Sequence, residues 1–223
     1  MVDPNDVIMI IPTHQEKLLG RLFDNLSGLP YQKVVNISAN KLGTNFSTVF
    51  DIAKNSRKRY VVTLDDDIEI VSNDTIDRCI EVMTDNNWAM CSTYESYNPA
   101  FNPADHNLVT VEKRWLPGYL IVIDMNMMSG HIVDRSLNDN EDHIDIDMSM
   151  YAHSLGYKVG WSDRAIIHHT DNHLPENHNR GLAQYNMAHR NLRSKWSMKS
   201  PLYPDRSVYE AVYVKSENVY SGL

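Results

Sequence analysis

Short apolar runs that alternate with amphipathic segments constrain the fold of this chain more than any other feature of its sequence. The runs VIMII at 7–11 and YVVTL at 60–64 are almost wholly apolar, as expected of strands covered on both faces. Between them, apolar residues recur at helical spacing from Lys17 to Leu26. This order predicts the α/β class, with parallel strands joined by right-handed crossover connections.

The same periodicity extends over most of the chain and determines its domain organisation. Strands are predicted at 7–11, 33–37, 60–64, 88–93, 108–113, 119–124 and 165–167, and helices at 17–26, 44–55, 73–86, 144–155 and 182–196. Prolines and turn-forming residues make 96–107 a predicted loop. We therefore predict one domain over residues 1–198, with a Rossmann-like, mostly parallel central sheet flanked by helices. Residues 199–223 are predicted to form a tail that packs on this domain.

Composition excludes several classes of protein. A chain of 223 residues with 42% hydrophobic residues can bury a substantial core, which excludes a disordered chain. The sequence has no apolar run of about 18 residues, the length that a membrane span requires. Its formal net charge of -8 excludes a globally basic nucleic-acid binder. Cys79 and Cys91 match no disulfide framework, so we expect free thiols and a cytoplasmic location.

Three consecutive aspartates follow the strand predicted at 60–64. Asp65, Asp66 and Asp67 repel one another, and they lie at the end of a strand where ligands bind in α/β sheets. Carboxylate oxygens suit Mg²⁺ or Mn²⁺, and such an ion would neutralise a bound diphosphate. The alternative is a solvated acidic turn or a helix N-cap, since aspartate is favoured at both.

A second acidic cluster and a pair of histidines lie further along the chain. Residues 134–147 hold six acids, more than helix capping needs, and their mutual repulsion would raise the pKa of at least one towards that of a general base. Capping of the helix predicted at 144–155 is the alternative. His168 and His169 point to opposite faces of a predicted strand, so at most one readily meets a given metal. The alternative for this pair is one core-facing and one solvated imidazole.

Taken in order, several motifs resemble those of the family 2 glycosyltransferases, which have the GT-A fold. The opening strand and turn read IIPTHQE at 10–16, the D-x-D strand reads VVTLDDD at 61–67, and the acceptor-side strand reads LPGYLIV at 116–122. The remaining family motifs are resembled by NKLGTN at 40–45, DIDMSM at 145–150 with LGYKV at 155–159, AIIHH at 165–169 and YNMAHRN at 185–191. The resemblance covers residues 6–198, and the shared order and spacing make it specific.

The resemblance implies a metal-dependent hexosyl- or pentosyltransferase that inverts the configuration of the transferred sugar, with a UDP- or GDP-sugar as donor. It implies that Mn²⁺ or Mg²⁺ binds to Asp67, His168 and Asp65, with His169 as the alternative to His168. The donor nucleotide is implied to bind Pro12, Thr13, Glu16, Ser38, Asn40, Gly43, Asp65 and Asp66. The residues implied on the acceptor side are Gly118, Tyr119 and Glu141.

The resemblance leaves two candidates for the general base. Counting back from Gly156 selects Asp145, which we prefer, whereas the literal Glu-Asp pair selects Asp142. The donor base is open as well, because Asn36-Ile37-Ser38 stands where the family usually has an aspartate that reads it. The acceptor is equally open: a glycan, a protein side chain or a modified nucleobase. The basic stretch 180–199 is either an anion-binding face or a solvated helix face.

Two other function classes fit part of the sequence. A metal-dependent phosphohydrolase or nucleotidyltransferase would use the same aspartate triplet together with the histidines at 168–173. A non-catalytic module that binds nucleotide sugars would retain the fold and need no base. The PTHQE turn at 12–16 and the acidic helix before Gly156 favour the glycosyltransferase.

Overall fold

The chain alternates between strands and helices, in the order that the sequence predicts for most of its length. A computed structural model of the protein describes residues 2–13, 16–37, 42–96, 108–134, 143–169 and 190–196. The strands are β1 (Val7–Thr13), β2 (Gln32–Ile37), β3 (Tyr60–Leu64), β4 (Ile68–Ile70), β5 (Trp88–Ser96), β6 (Val111–Lys113), β7 (Leu120–Asp124) and β8 (Lys158–His169). The helices are α1 (Glu16–Leu26), α2 (Leu42–Ser56), α3 (Thr75–Asn86), α4 (Met125–Met128) and α5 (Ile144–Ser154), and a further helix covers 190–195.

The strands form one mixed sheet in the order β2-β1-β3-β7-β5-β8-β4, with β6 paired to β8. Pairs β1–β2, β1–β3 and β5–β8 are parallel, whereas β3–β7, β5–β7, β4–β8 and β6–β8 are antiparallel. The α/β class with a central sheet flanked by helices is confirmed. The expectation of mostly parallel pairing is corrected, because β7 runs antiparallel between β3 and β5 and separates two strands that the sequence order would have made neighbours.

Helices cover both faces of this sheet. Along β1, Val7, Met9 and Ile11 pack in one apolar cluster with α1 and α3, while Ile8 and Ile10 pack in a second cluster with α2 and α5. All five side chains are buried, which explains why the sequence shows an unbroken apolar run here instead of alternation. The molecule therefore has three layers, with the sheet in the middle.

The end of α5 follows from a single glycine. Gly156 has a φ of +83°, and its N–H donates to the carbonyl of His153 at 3.0 Å, while the N–H of Tyr157 donates to the carbonyl of Ala152 at 3.0 Å. These two bonds form a Schellman motif, which needs a left-handed residue after the helix. The predicted stop at Gly156 is confirmed, and it directs the chain into β8.

Three features of the fold were absent from the prediction. The elements β4 and α4 have three and four residues, too few for a periodic pattern to emerge. Strand β8 has 12 residues and includes the predicted 165–167, but its first half carries Gly160, Ser162 and Asp163, which hide the strand signal. Residues 97–107, 182–189 and 197–223 lie outside the described residues, and with them the predicted loop, the start of the last predicted helix and the tail. Within the described part of the chain, each helix falls short of the length and apolarity needed to cross a membrane.

Candidate active site at the carboxyl edge of the sheet

The first contact of the site joins the ends of β1 and β3, at what we call the carboxyl edge of the sheet. The two strands are parallel neighbours with Ile10 opposite Thr63, so Thr13 and Asp66 come level with each other. Thr13 is fully buried, and its hydroxyl donates a hydrogen bond to Oδ2 of Asp66. Because the sheet fixes Thr13, this bond holds the middle aspartate of the triplet in one orientation.

Strand β7 begins at the same edge and brings the predicted acceptor-side residues to the triplet. The N–H of Asp65 donates to the carbonyl oxygen of Tyr119 at 2.8 Å. The ring of Tyr119 is buried, and its hydroxyl donates to the carbonyl of Thr93 at 2.6 Å. Tyr119 thus meets the triplet through its backbone, while its side chain ties β7 to β5. Gly118 is the residue immediately before Tyr119.

The first turn of α5 places Asp145 next to Gly118. A β-carbon at position 118 would lie 3.7 Å from Oδ2 of Asp145, so this carboxylate rests against the Gly118 backbone. The other oxygen, Oδ1, accepts a hydrogen bond from the N–H of Ile146 at 2.8 Å, and the side chain is half-buried. Asp145 and Asp65 are therefore connected through the consecutive residues Gly118 and Tyr119.

The pairing of β4 with β8 brings the predicted histidines to the triplet. Strand β4 begins at Ile68, directly after Asp67, and pairs antiparallel with the end of β8. In this register Ile68 lies opposite His169 and Glu69 lies opposite His168. Glu69 is exposed and His168 is half-buried. Two segments that the sequence separates by about a hundred positions therefore meet, which no local pattern could reveal.

The donors at this edge suit a hard divalent cation. Carboxylate oxygens of the triplet and one imidazole from β8 make the mixed oxygen and nitrogen set that Mn²⁺ accepts, and the oxygens alone suit Mg²⁺. Among the described residues, no three His, Cys, Asp or Glu side chains are already arranged around a common point as metal ligands. The fit therefore rests on the chemistry of the donor set and on the pairing of β4 with β8, in which Glu69, two residues after Asp67, lies opposite His168.

The remaining predicted site residues divide into two groups. Pro12 is buried in β1 opposite Asn36 of β2, and Glu16 and Gly43 lie at the starts of α1 and α2. Outside the described residues lie Ser38, Asn40, Glu141 and Asp142. The choice between Asp145 and Asp142 as general base accordingly stays a prediction.

Sequence reasoning missed the environment of a neighbouring acid, Asp147. Its carboxylate is 1% exposed and accepts hydrogen bonds from Lys195 Nζ at 2.8 Å and from the indole N–H of Trp196 at 2.8 Å. Lys195 also lies 3.3 Å from Oδ2 of Asp134. Lys195 is therefore engaged by two carboxylates and is not part of an open anion-binding face. A contact between residues so distant in sequence leaves no local signal.

Replacing Thr13 with valine tests the bond that orients Asp66. We expect the free energy of unfolding to fall by about 1–3 kcal/mol, because a hydrogen bond to a charged group is lost inside the protein. Thr63→Val is the matched control in the neighbouring strand, since Thr63 is equally buried and its hydroxyl has no hydrogen-bond partner within the described residues. Urea unfolding of both variants measures the difference, and equal losses would contradict the assignment.

No protein family model matches the chain, and neither does any curated protein. Solved structures do match it. A structure of A197 from STIV has a TM-score of 0.56 at 10% identity, and the match covers 74% of this chain and 86% of that one. A complex of the mannosyltransferase PcManGT from Pyrobaculum calidifontis with GDP-Man and Mn²⁺ has a TM-score of 0.54 at 15% identity, covering 74% of this chain. TarS from S. aureus has a TM-score of 0.58 at 13% identity, covering 85% of this chain.

These similarities establish the fold. The chain has the mixed sheet flanked by helices of the GT-A glycosyltransferases, so the GT-A fold expected from the motifs is confirmed. The match spans 58% of the mannosyltransferase and 39% of TarS, so this chain corresponds to only part of either protein. At such low sequence identity, function has to be argued from the site itself.

Proposed function

We propose that this chain is a metal-dependent glycosyltransferase, which moves a sugar from a nucleotide-diphosphate sugar to an acceptor hydroxyl with inversion. One observation carries the proposal: carboxylates from two distant segments, the triplet after β3 and Asp145 on α5, lie at one edge of a GT-A sheet, joined through Gly118 and Tyr119. A solvated acidic turn would need no second carboxylate opposite it. A transferase needs both, because the triplet would hold the cation that stabilises the leaving diphosphate, whereas Asp145 would accept the proton of the acceptor hydroxyl.

The donor class is supported by the similar structures. The mannosyltransferase was solved with GDP-Man and Mn²⁺, and TarS with UDP-GlcNAc. In this chain Asp65 and Asp66 would contact the nucleoside ribose, and the bond from Thr13 to Asp66 fixes one of these carboxylates before the donor arrives. A group held in place in advance costs less entropy on binding.

The leaving group is the diphosphate. Asp67, His168 and Asp65 would hold Mn²⁺ or Mg²⁺, which supplies positive charge to the departing diphosphate when bound. Asp145 takes the proton from the acceptor hydroxyl while that oxygen attacks the anomeric carbon. The bond from the anomeric carbon to the diphosphate oxygen breaks, and its electron pair leaves with the diphosphate. A single displacement of this kind inverts the configuration at the anomeric carbon.

Release of nucleotide from a panel of UDP- and GDP-sugars tests the proposal directly. The full chain is incubated with each donor and Mn²⁺ or Mg²⁺, and the products are separated by ion-exchange chromatography. We expect release of UDP or GDP from at least one donor, loss of this release in EDTA, and recovery when Mn²⁺ is added in excess.

The products also distinguish the other function classes. A phosphohydrolase or nucleotidyltransferase would break a phosphate bond and yield a nucleoside monophosphate and a sugar phosphate. Donor binding without any release, with every candidate acceptor present, would indicate a binding module. Either result would overturn the transferase.

A further inference from the structure

The helix that carries Asp145 is held by an ionic contact of a buried carboxylate, two residues further on. The Asp147 carboxylate is 1% exposed, and it receives Lys195 Nζ at 2.8 Å and Trp196 Nε1 at 2.8 Å. His131 Nε2 lies 3.4 Å from the same carboxylate. Asp134 lies 3.3 Å from Lys195. We call the three directly bonded residues, Asp147, Lys195 and Trp196, the α5 latch.

Apolar packing joins the same two segments. One face of α5 packs against the sheet, whereas Ile146 and Met150 on another face form a separate cluster with Leu192, which is fully buried. Trp115 and Trp196 pack against this cluster. The helix over 190–195 therefore covers a side of α5 that the sheet does not reach.

The turn that the latch holds has an unfavourable backbone conformation. His143, the residue before α5, has a φ of 66°, in the left-handed region that residues with a β-carbon rarely adopt. The N–H of Asp147 donates to the His143 carbonyl at 2.8 Å and closes this turn around Asp145. Such a conformation persists only where surrounding contacts enforce it, and it occurs often at functional sites.

We propose that the α5 latch is a positioning device for the general base: Lys195 and Trp196 hold Asp147, and Asp147 fixes the strained first turn that places Asp145 against Gly118. This inference rests on the proposed function, because it concerns the geometry of its base. Asp147 is a positioning residue and does not touch the reactants, since its carboxylate is buried and bonded to the latch partners. The segment 190–196 thereby becomes part of the catalytic apparatus without contributing a reacting group.

Variants of Lys195 separate positioning from simple stabilisation. Lys195→Met keeps the length of the side chain and removes its charge, whereas Lys195→Arg keeps the charge. We expect Lys195→Met to lower kcat about 10- to 100-fold, because a small displacement of a catalytic group has effects of this size. Donor affinity should change by no more than about 2-fold, since the donor side of the site lies on β1 and β3. Lys195→Arg should recover most of kcat.

Asp147→Asn and a matched control complete the set. Asp147→Asn keeps an acceptor for Trp196 but removes the charge that pairs with Lys195, so its kcat should fall as in Lys195→Met. Asp124→Asn is the control, because Asp124 is also a buried carboxylate, paired with Arg59 at 3.0 Å. It lies opposite Tyr60, the first residue of β3, and so at the end of the strands away from the carboxyl edge. It should lose stability and leave kcat of the folded protein unchanged. If the latch variants leave kcat per folded molecule within about 2-fold of this control, the positioning role is wrong.

Hydrogen exchange followed by mass spectrometry gives a readout that does not depend on turnover. In Lys195→Met, the amides at 143–147 should exchange at least about 10-fold faster than in the wild type, with no such change in Asp124→Asn. Unchanged exchange at 143–147 would overturn the latch even if the enzyme is active. If the wild type releases no nucleotide from any donor, the proposed function falls and the catalytic role falls with it, while the exchange data still decide whether the latch fixes the turn.

Discussion

Asp145→Asn is expected to lower kcat by about 10²- to 10⁴-fold, the usual contribution of a general base. The amide cannot accept the proton of the acceptor hydroxyl, but its oxygen can still receive the N–H of Ile146, a bond that measures 2.8 Å in the wild type. The local structure should therefore survive. The affinity for UDP or GDP should stay within about 2-fold of the wild-type value, because the proposed donor contacts lie on β1 and after β3 and not on α5. Steady-state kinetics and isothermal titration of the same preparation measure both quantities.

The matched control for this experiment is Asp77→Asn. Asp77 is also a half-buried aspartate in the first turn of a helix, and its Oδ1 accepts a hydrogen bond from the Tyr31 hydroxyl at 2.7 Å. Tyr31 precedes β2 and so lies towards the opposite edge of the sheet. The control should keep full turnover. Normal turnover in Asp145→Asn with loss in Asp142→Asn would move the base to Asp142, and normal turnover in both would remove the base from the mechanism.

The sequence allowed most of the fold to be predicted because the core is built from uninterrupted patterns. β1 and β3 are buried along their whole length, so their apolar runs identify them, and Gly156 ends α5 through its left-handed conformation. The position of β7 could not be predicted. Whether a strand pairs with the one before it or inserts antiparallel elsewhere depends on tertiary contacts, such as the bond between Asp65 and Tyr119, that leave no periodic trace.

The candidate site was predictable to the extent that it depends on strand ends. An aspartate triplet after a buried strand identifies the carboxyl edge, and the pairing of Glu69 with His168 explains why a histidine pair follows so much later. The roles within the second acidic cluster were not predictable. Asp145 faces Gly118 at the edge, whereas Asp147, two residues on, is buried against Lys195. Both acids lie in the first turn of the same helix. Their environments differ because the segment 190–196 packs against α5 and bonds to Asp147.

Asp67→Ala should abolish metal-dependent binding of UDP or GDP. The affinity measured by isothermal titration in Mn²⁺ is expected to fall by at least about 100-fold, because even the residues that merely support a metal ligand are worth about 10- to 100-fold in metal affinity. A loss of this size corresponds to about 2.7 kcal/mol of binding free energy. The wild type should bind UDP or GDP in Mn²⁺ or Mg²⁺ and lose this binding in EDTA. Asp67→Ala should lack this binding both with the metal and in EDTA.

Asp6→Ala separates the loss of a ligand from the loss of a charge. Asp6 is an exposed acid immediately before β1, so its removal changes the net charge equally but acts at the edge opposite Asp67. Its affinity for UDP or GDP should match that of the wild type, because exposed charges so far from the ligand are screened by salt. Binding that persists in EDTA, or that survives in Asp67→Ala, would mean that the triplet recognises the donor without a metal, and the leaving diphosphate would then need another source of positive charge at this edge.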